Sequence, residues 1–144
     1  MPKAVVTLVE GLQAKIDVRQ FEFVADEPVD EGGQDTGPKP TEILLGALGS
    51  CAVITAKLYA QRKGWDLQGM EVSLEMERVD PSTYPSYTGD ASILHVIRKQ
   101  FSFEGELSDE QRSRLMEIAS KCPVARVLQY PVIFEDSQHS PSEA

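Results

Sequence analysis

Two cysteines, Cys51 and Cys122, are the side chains of this 144-residue sequence best suited to covalent chemistry. A thiolate is a nucleophile, and two thiols that meet can form a disulfide couple. Cys51 closes the run Gly37-Pro38-Lys39-Pro40-Thr41-Glu42-Ile43-Leu44-Leu45-Gly46-Ala47-Leu48-Gly49-Ser50-Cys51. Leu44, Leu48, Cys51, Thr55 and Leu58 recur at steps of three and four, which predicts one buried face of a helix. By itself a cysteine there reads as a small hydrophobe. Cys122 lies seventy-one positions further on, in Ser120-Lys121-Cys122-Pro123-Val124-Ala125-Arg126. Proline is at home in a first helical turn. Cys122 is therefore expected at a helix entrance, among free amides, a setting that lowers a thiol pKa.

The elements that must position these residues follow in order. Residues 4–9, 14–18 and 21–25 have β composition and alternation, and 1–25 reads as an N-terminal β-meander. Residues 26–40 hold Pro28, Gly32-Gly33, Gly37-Pro38 and Pro40, which make either a surface loop or a loop over a site. Thr41 is the expected N-cap of a helix over 41–63, with Gly64 as its stop and Arg62 and Lys63 at its negative end. Gly46 and Gly49 inside that helix read as a close helix–helix contact or as simple tolerance.

In the second half, Val72, Leu74 and Met76 alternate with Glu71, Ser73, Glu75 and Glu77. With 91–104, where Ile93, Val96 or Ile97, Phe101 and Phe103 are inward candidates, this predicts a long hairpin over 70–104. Ser108 and Gln111 form a capping-box pattern. The region 108–135 is expected to hold two helices and a short closing strand, Val132-Ile133-Phe134, and 136–144 a polar tail. The whole, residues 1–144, reads as one α+β domain.

Composition narrows the function. A formal net charge of −9 argues against a nucleic-acid partner and against anionic membrane surfaces. Lys57 and Arg62-Lys63 interrupt the best apolar run, so no membrane span is expected. Nothing after Met1-Pro2-Lys3 resembles a signal segment. Two cysteines without one suggest a reducing cytoplasm and a redox-active or free pair. His95 and His139 have no ligand spacing; no metal and no other cofactor is expected.

The Pro-x-Glu-hydrophobic run ending in Gly49-Ser50-Cys51, followed by Lys121-Cys122-Pro123-Val124, resembles the OsmC/Ohr family over roughly residues 15–135. Gly37-Pro38-Lys39-Pro40-Thr41-Glu42 and Arg62-Lys63-Gly64-Trp65 look most like a less characterised, OsmC-like branch. The resemblance implies an intertwined homodimer whose antiparallel sheets wrap central cysteine-bearing helices, with sites at the interface. It also implies a thiol-dependent peroxidase that reduces organic hydroperoxides. Cys51 would attack the peroxide, Cys122 would resolve the sulfenic acid, and an external dithiol would reset the pair.

The family's cation is an arginine from the early strands held by a glutamate of the helix motif. That implies Arg19, the only arginine before residue 62, and Glu42. In the better-known branch the acid directly follows the motif proline. Here Thr41 takes that place and Glu42 lies one residue, about 100° of helix rotation, further on. Two other readings stay open: a dithiol protein with a different electrophile, and a non-catalytic carrier of a small ligand.

Overall fold

The computed structural model describes residues 1–139. Strands β1 (Val5–Glu10), β2 (Gln13–Val18) and β3 (Phe21–Ala25) form an antiparallel three-stranded sheet in chain order. Helix α1 (Pro40–Lys63) follows, then the hairpin of β4 (Gly69–Val79) and β5 (Leu94–Glu104). Two helices, α2 (Asp109–Ala119) and α3 (Pro123–Gln129), complete the α+β fold. The hairpin keeps one register throughout, with Val72 opposite Phe101, Leu74 opposite Lys99 and Met76 opposite Ile97. Because side chains alternate across a strand, Met70, Phe101 and Phe103 fall on the face that packs against α1 and α2. Ile93 lies before β5 and is exposed, so it is not among the inward residues.

Helix α1 is the centre of the packing, against β4, α2 and α3. Its buried face differs from the leucine stripe. Leu48, Gly49, Ala52, Ala56 and Ala60 are buried, whereas Leu44 is 37% and Leu58 55% exposed. The reason is separation. Alanines at steps of four let the helix sit close to β4 and α2, where leucines would hold it off. Gly49 marks the closest point, since a Cβ there would lie 2.8 Å from Leu74 Cδ1. Within the chain it therefore serves helix–sheet contact, and at Gly46 a Cβ would meet nothing of the same chain within 4 Å.

The helix also starts earlier than Thr41. Lys39 is the N-cap and Pro40 opens the first turn, where its fixed φ is already helical. Glu42 reaches back to accept a hydrogen bond from the Lys39 amide at 2.8 Å. Gly64 ends the helix in left-handed geometry, φ 68°, as expected. Pro40–Lys63 is longer and more apolar than the sequence reading allowed, enough to match a membrane span in length and composition alone, as the core helix of a globular fold also can. In this fold its buried face is taken by β4, α2 and α3.

The expected closing strand is not formed: Val132, Ile133 and Phe134 make no ladder and are 53, 86 and 83% exposed. A strand requires a neighbouring edge for its amides, and none of the two sheets' five strands pairs with this segment. The expected tail beyond residue 139 lies outside the described residues.

Loop 26–40 is tied down at its base. Asp26, 2% exposed, accepts from the amides of Glu27 (2.8 Å) and Thr36 (3.1 Å) and from the Thr36 hydroxyl. The Asp26 amide donates to the Pro38 carbonyl at 3.1 Å. Gly37 passes so near Val24 that a Cβ would stand 2.2 Å from its carbonyl oxygen. The Thr36 hydroxyl and the Glu27 amide, in that order, hold the Asp26 carboxyl below its ordinary value of 3.8. A depressed native pKa gives stability that is present above the ordinary carboxylate range and is lost as pH falls through the lowered value. Amide exchange at Glu27 and Thr36 should therefore accelerate, relative to the hairpin, as pH falls below the ordinary carboxylate range. In Asp26→Asn that acid-dependent step should disappear, and its persistence would show that another group controls the loop.

Candidate active site

The last turn of α2 and the start of α3 deliver Cys122 to α1. Ser108 caps α2, accepting from the Gln111 amide at 3.1 Å while the Gln111 side chain accepts from the Ser108 amide at 2.9 Å. The α2 stripe Leu115 and Ala119 is fully buried against Ala52, Ala56 and Ala60. The chain then turns at Ser120-Lys121, and Cys122 becomes the N-cap of α3 with Pro123 in its first turn. Proline has no amide hydrogen, so the first free donor of α3 is the Val124 N–H. That N–H donates to Sγ of Cys51 at 3.5 Å.

The two cysteines, distant in sequence, are thus neighbours in space. Cys122, Leu48 and Ala125 form a buried cluster, and Cys51, Leu74, Ile97 and Val124 pack against it half-buried. Both thiols are free, and Cys51 packs directly against the cluster that encloses Cys122. Their exposures differ. Cys122 is 0% exposed, and Cys51 retains access to solvent.

This reverses one sequence expectation. The helix entrance does not lower the Cys122 pKa. Burial pushes its thiol above the ordinary value of 9.0, and the neighbouring Cys51 adds to the rise. The Ala125 and Val124 amides oppose it without overcoming the loss of water. The Val124 amide meets the other sulfur. A backbone N–H facing Cys51 Sγ is a fixed donor toward negative charge there. Val124 is the site residue that sequence reading missed. The signal was Pro123, which makes the next amide the first one able to donate.

Arg19 and Glu42 are engaged elsewhere. Arg19 opens the two-residue turn between β2 and β3, and its guanidinium lies 5.1 Å over the Phe21 ring. Glu42 caps α1 through Oε1. Among the described residues no hydrogen bond joins either to Cys51. Arg19 has φ 54°, left-handed backbone that two-residue hairpins ordinarily give to glycine. Such a conformation costs an arginine about 1 kcal/mol. No group of three or more His, Cys, Asp or Glu able to hold a metal occurs among the described residues.

The difference in exposure is directly measurable. Native protein treated briefly with iodoacetamide near pH 8 should carry the label on Cys51, with Cys122 modified only after denaturation. Equal labelling of both would contradict the packing of Cys122. For a thiol raised in the native state the linked stability is intact below the ordinary thiol value and falls as pH rises through the native one. Cys122→Ala should therefore weaken the alkaline loss of stability.

The family model of the OsmC-like protein matches residues 32–135. No curated protein matches the sequence. Among solved structures, the chain is similar to an OsmC-like protein from Mycoplasma pneumoniae, with 21% identity, TM-score 0.71, and 90% of this chain and 87% of that one covered. An organic hydroperoxide resistance protein OsmC from Legionella pneumophila has 12% identity, TM-score 0.63, and coverage of 88% and 89%. An organic hydroperoxide resistance protein from Elizabethkingia anophelis has 15% identity, TM-score 0.63, and coverage of 90% and 88%. At these identities the structures speak for the fold. The family match spans most of the sequence and both cysteines, and the chain belongs to the OsmC-like family.

Proposed function

We propose that this protein is a thiol-dependent peroxidase that reduces organic hydroperoxides in a reducing compartment such as the cytoplasm. The observation that carries the reading is the meeting of Cys51 and Cys122 in one cluster, one sulfur accessible and the other enclosed. The Cys51 thiolate attacks the O–O bond of the hydroperoxide, taking one oxygen as a sulfenic acid and releasing the alcohol after protonation. The Cys122 thiol condenses with the sulfenic acid, forming the disulfide and water. An external dithiol returns both sulfurs to thiols. Two of the similar structures are named organic hydroperoxide resistance proteins, which supports the substrate class.

Arg19 is the cation proposed to favour the Cys51 thiolate. Its strained backbone supports a functional role, since glycine would fit the turn without cost. Glu42 spends Oε1 on the Lys39 amide, which leaves Oε2 to hold the guanidinium. Both act, in this reading, in a homodimer. The chain by itself leaves Val6, Leu8, Phe21 and Phe23 of the N-terminal sheet exposed, together with Ile133 and Phe134. Its largest fully buried side chains are Leu115 and Cys122, a thin core for its length. A second copy covering the apolar sheet faces would complete it.

A second reading is carriage of a small apolar ligand. A groove of about 370 Å³ runs along α1, lined by Val53, Ile54, Leu58, Leu67 and Met70. Thiol counting separates the two readings. One equivalent of cumene hydroperoxide should consume both thiols of the wild type and leave Cys51→Ser unchanged, and Cys122→Ser should stop at a sulfenic acid. Retention of both thiols favours the carrier. Arg19→Gly should keep or slightly raise thermal stability while slowing peroxide consumption by about tenfold or more, as expected for removing more than 1.4 kcal/mol of charge stabilisation. Light scattering should report twice the chain mass, and a monomer would remove the homodimer from the scheme.

A further inference from the structure

Among the described residues Asp26 is the one polar or charged side chain that the chain buries, at 2% exposed. It belongs to neither core cluster. With Ala25 it accounts for all the burial before Leu48. Association with a second copy can only add to that burial, so the setting does not depend on which surfaces of the chain are free. A carboxylate removed from water is costly unless its oxygens are engaged. Here they are engaged by one short segment. Oδ1 accepts from the Glu27 amide, and Oδ2 accepts from the amide and the hydroxyl of Thr36. The same hydroxyl accepts from Nε2 of Gln13, on β2, at 3.0 Å. The Asp26 amide donates to the Pro38 carbonyl, just ahead of the first turn of α1. Gly33 lets the loop close on the carboxylate, since a Cβ there would stand 2.8 Å from Asp26 Oδ1. Lys39, the N-cap of α1, is paired with Glu31 of the same loop at 3.1 Å.

This knot is a joint between two bodies. On one side is the N-terminal sheet and on the other is α1. No residue of β1, β2 or β3 enters either core cluster, and those strands pack on one another. Within the chain, the angle of the sheet to α1 is therefore set between Val24 and Pro40. Strands β2 and β3 leave the joint side by side, with Ala14 opposite Ala25, and end at Val18 opposite Phe21. Arg19 lies in the turn between them, at the tip of a lever about 20 Å long at the ordinary strand rise. At that separation, beyond a Debye length, charge alone links Asp26 to Arg19 only weakly. The mechanical link is strong: a tilt of about 10° at the joint carries the tip by about 3 Å. A misplacement of about 1 Å is enough to cost about a hundredfold in rate.

We propose that Asp26 is a positioning residue for Arg19: through Thr36 and the Pro38 carbonyl it locks the N-terminal sheet at one angle to α1, and so aims the guanidinium at the Cys51 sulfur. The inference rests on the role given to Arg19 above. The lever acts alike whether the Cys51 that Arg19 serves is in its own chain or in a second copy, because the α1 helices of a dimer have one fixed relation. A buried charge at this point is explained by the geometry it enforces, since an apolar residue would accept nothing from Thr36.

The test reads the pKa of Cys51 from the pH dependence of its alkylation by iodoacetamide, with brief labelling and the site mapped by mass spectrometry. No hydroperoxide is needed. Arg19→Gly is expected to raise that pKa. Asp26→Asn keeps the size of the side chain and loses its charge and one acceptor. It is expected to raise the Cys51 pKa by at least half as much, from the far end of the sheet. In the double variant Asp26→Asn should add nothing to Arg19→Gly, as for two residues acting through one interaction. A role in folding alone would leave the Cys51 pKa unmoved by Asp26→Asn, or would add its effect in full to that of Arg19→Gly, and either result overturns the proposal. Thr36→Val removes the bridging hydroxyl without touching either charge, and guards against an Asp26→Asn protein that does not fold. It should raise the Cys51 pKa as well, and Thr36→Ser should restore the wild-type value; a Thr36→Val protein with the wild-type value would also overturn the proposal. If Arg19→Gly itself leaves the pKa unchanged, the cation role of Arg19 fails and this inference fails with it, whereas a shift in Arg19→Gly alone removes only the lever.

Discussion

One contact ties the structure together: the Val124 amide against Sγ of Cys51. It exists only because α3 begins where α1 carries its cysteine, and several separate choices bring that about. The capping box at Ser108 sets the start of α2. Leu115 and Ala119 press α2 onto the alanine face of α1. The turn before Pro123 then has little freedom, and the first donor it offers meets the sulfur. An amide held by packing is already oriented, so it needs no rearrangement when charge develops on its acceptor.

The alanine face of α1 has a second effect. Helix, hairpin and α2 approach closely, so the core is built mainly from small side chains and backbone. Large apolar side chains are displaced to the surface of the single chain, on the N-terminal sheet and on the far side of α1. A helix apolar on both sides, within a chain that exposes Phe21, Phe23 and Phe134, leaves apolar surface that its own chain does not cover. The pattern also explains why α1 satisfies a membrane-span criterion while one of its faces lies against α2, α3 and the hairpin.

Much of this was legible in the residues. Alternation at Val72, Leu74 and Met76 fixed both the strand and its inner face, because a strand's period of two leaves little choice once Glu and Ser occupy the other side. Ser108 with Gln111 and Gly64 located helix ends through local hydrogen bonds that depend on nothing remote. The buried face of α1 was harder to read. Its leucines and its alanines both recur at helical steps, and which set turns inward depends on how closely β4 approaches. The Cys122 pKa was misread for a related reason. A helix entrance is a local property, but burial is imposed by Leu48 and Ala125 from elsewhere in the fold. Val132–Phe134 has strand composition without a strand neighbour in its own chain, and composition cannot supply one. The sulfur pair was anticipated from the family resemblance, whereas the amide between α3 and Cys51 had to be seen.

The unequal settings of the two sulfurs also bear on damage. Oxygen atoms added beyond the sulfenic stage make a cysteine larger and more acidic. Cys51 is only partly buried in the chain, so such a group is not enclosed on every side. At Cys122 it would have to be accommodated within closed packing beside Leu48. Over-oxidation at Cys51 would therefore disturb the packing of the chain less than the same change at Cys122.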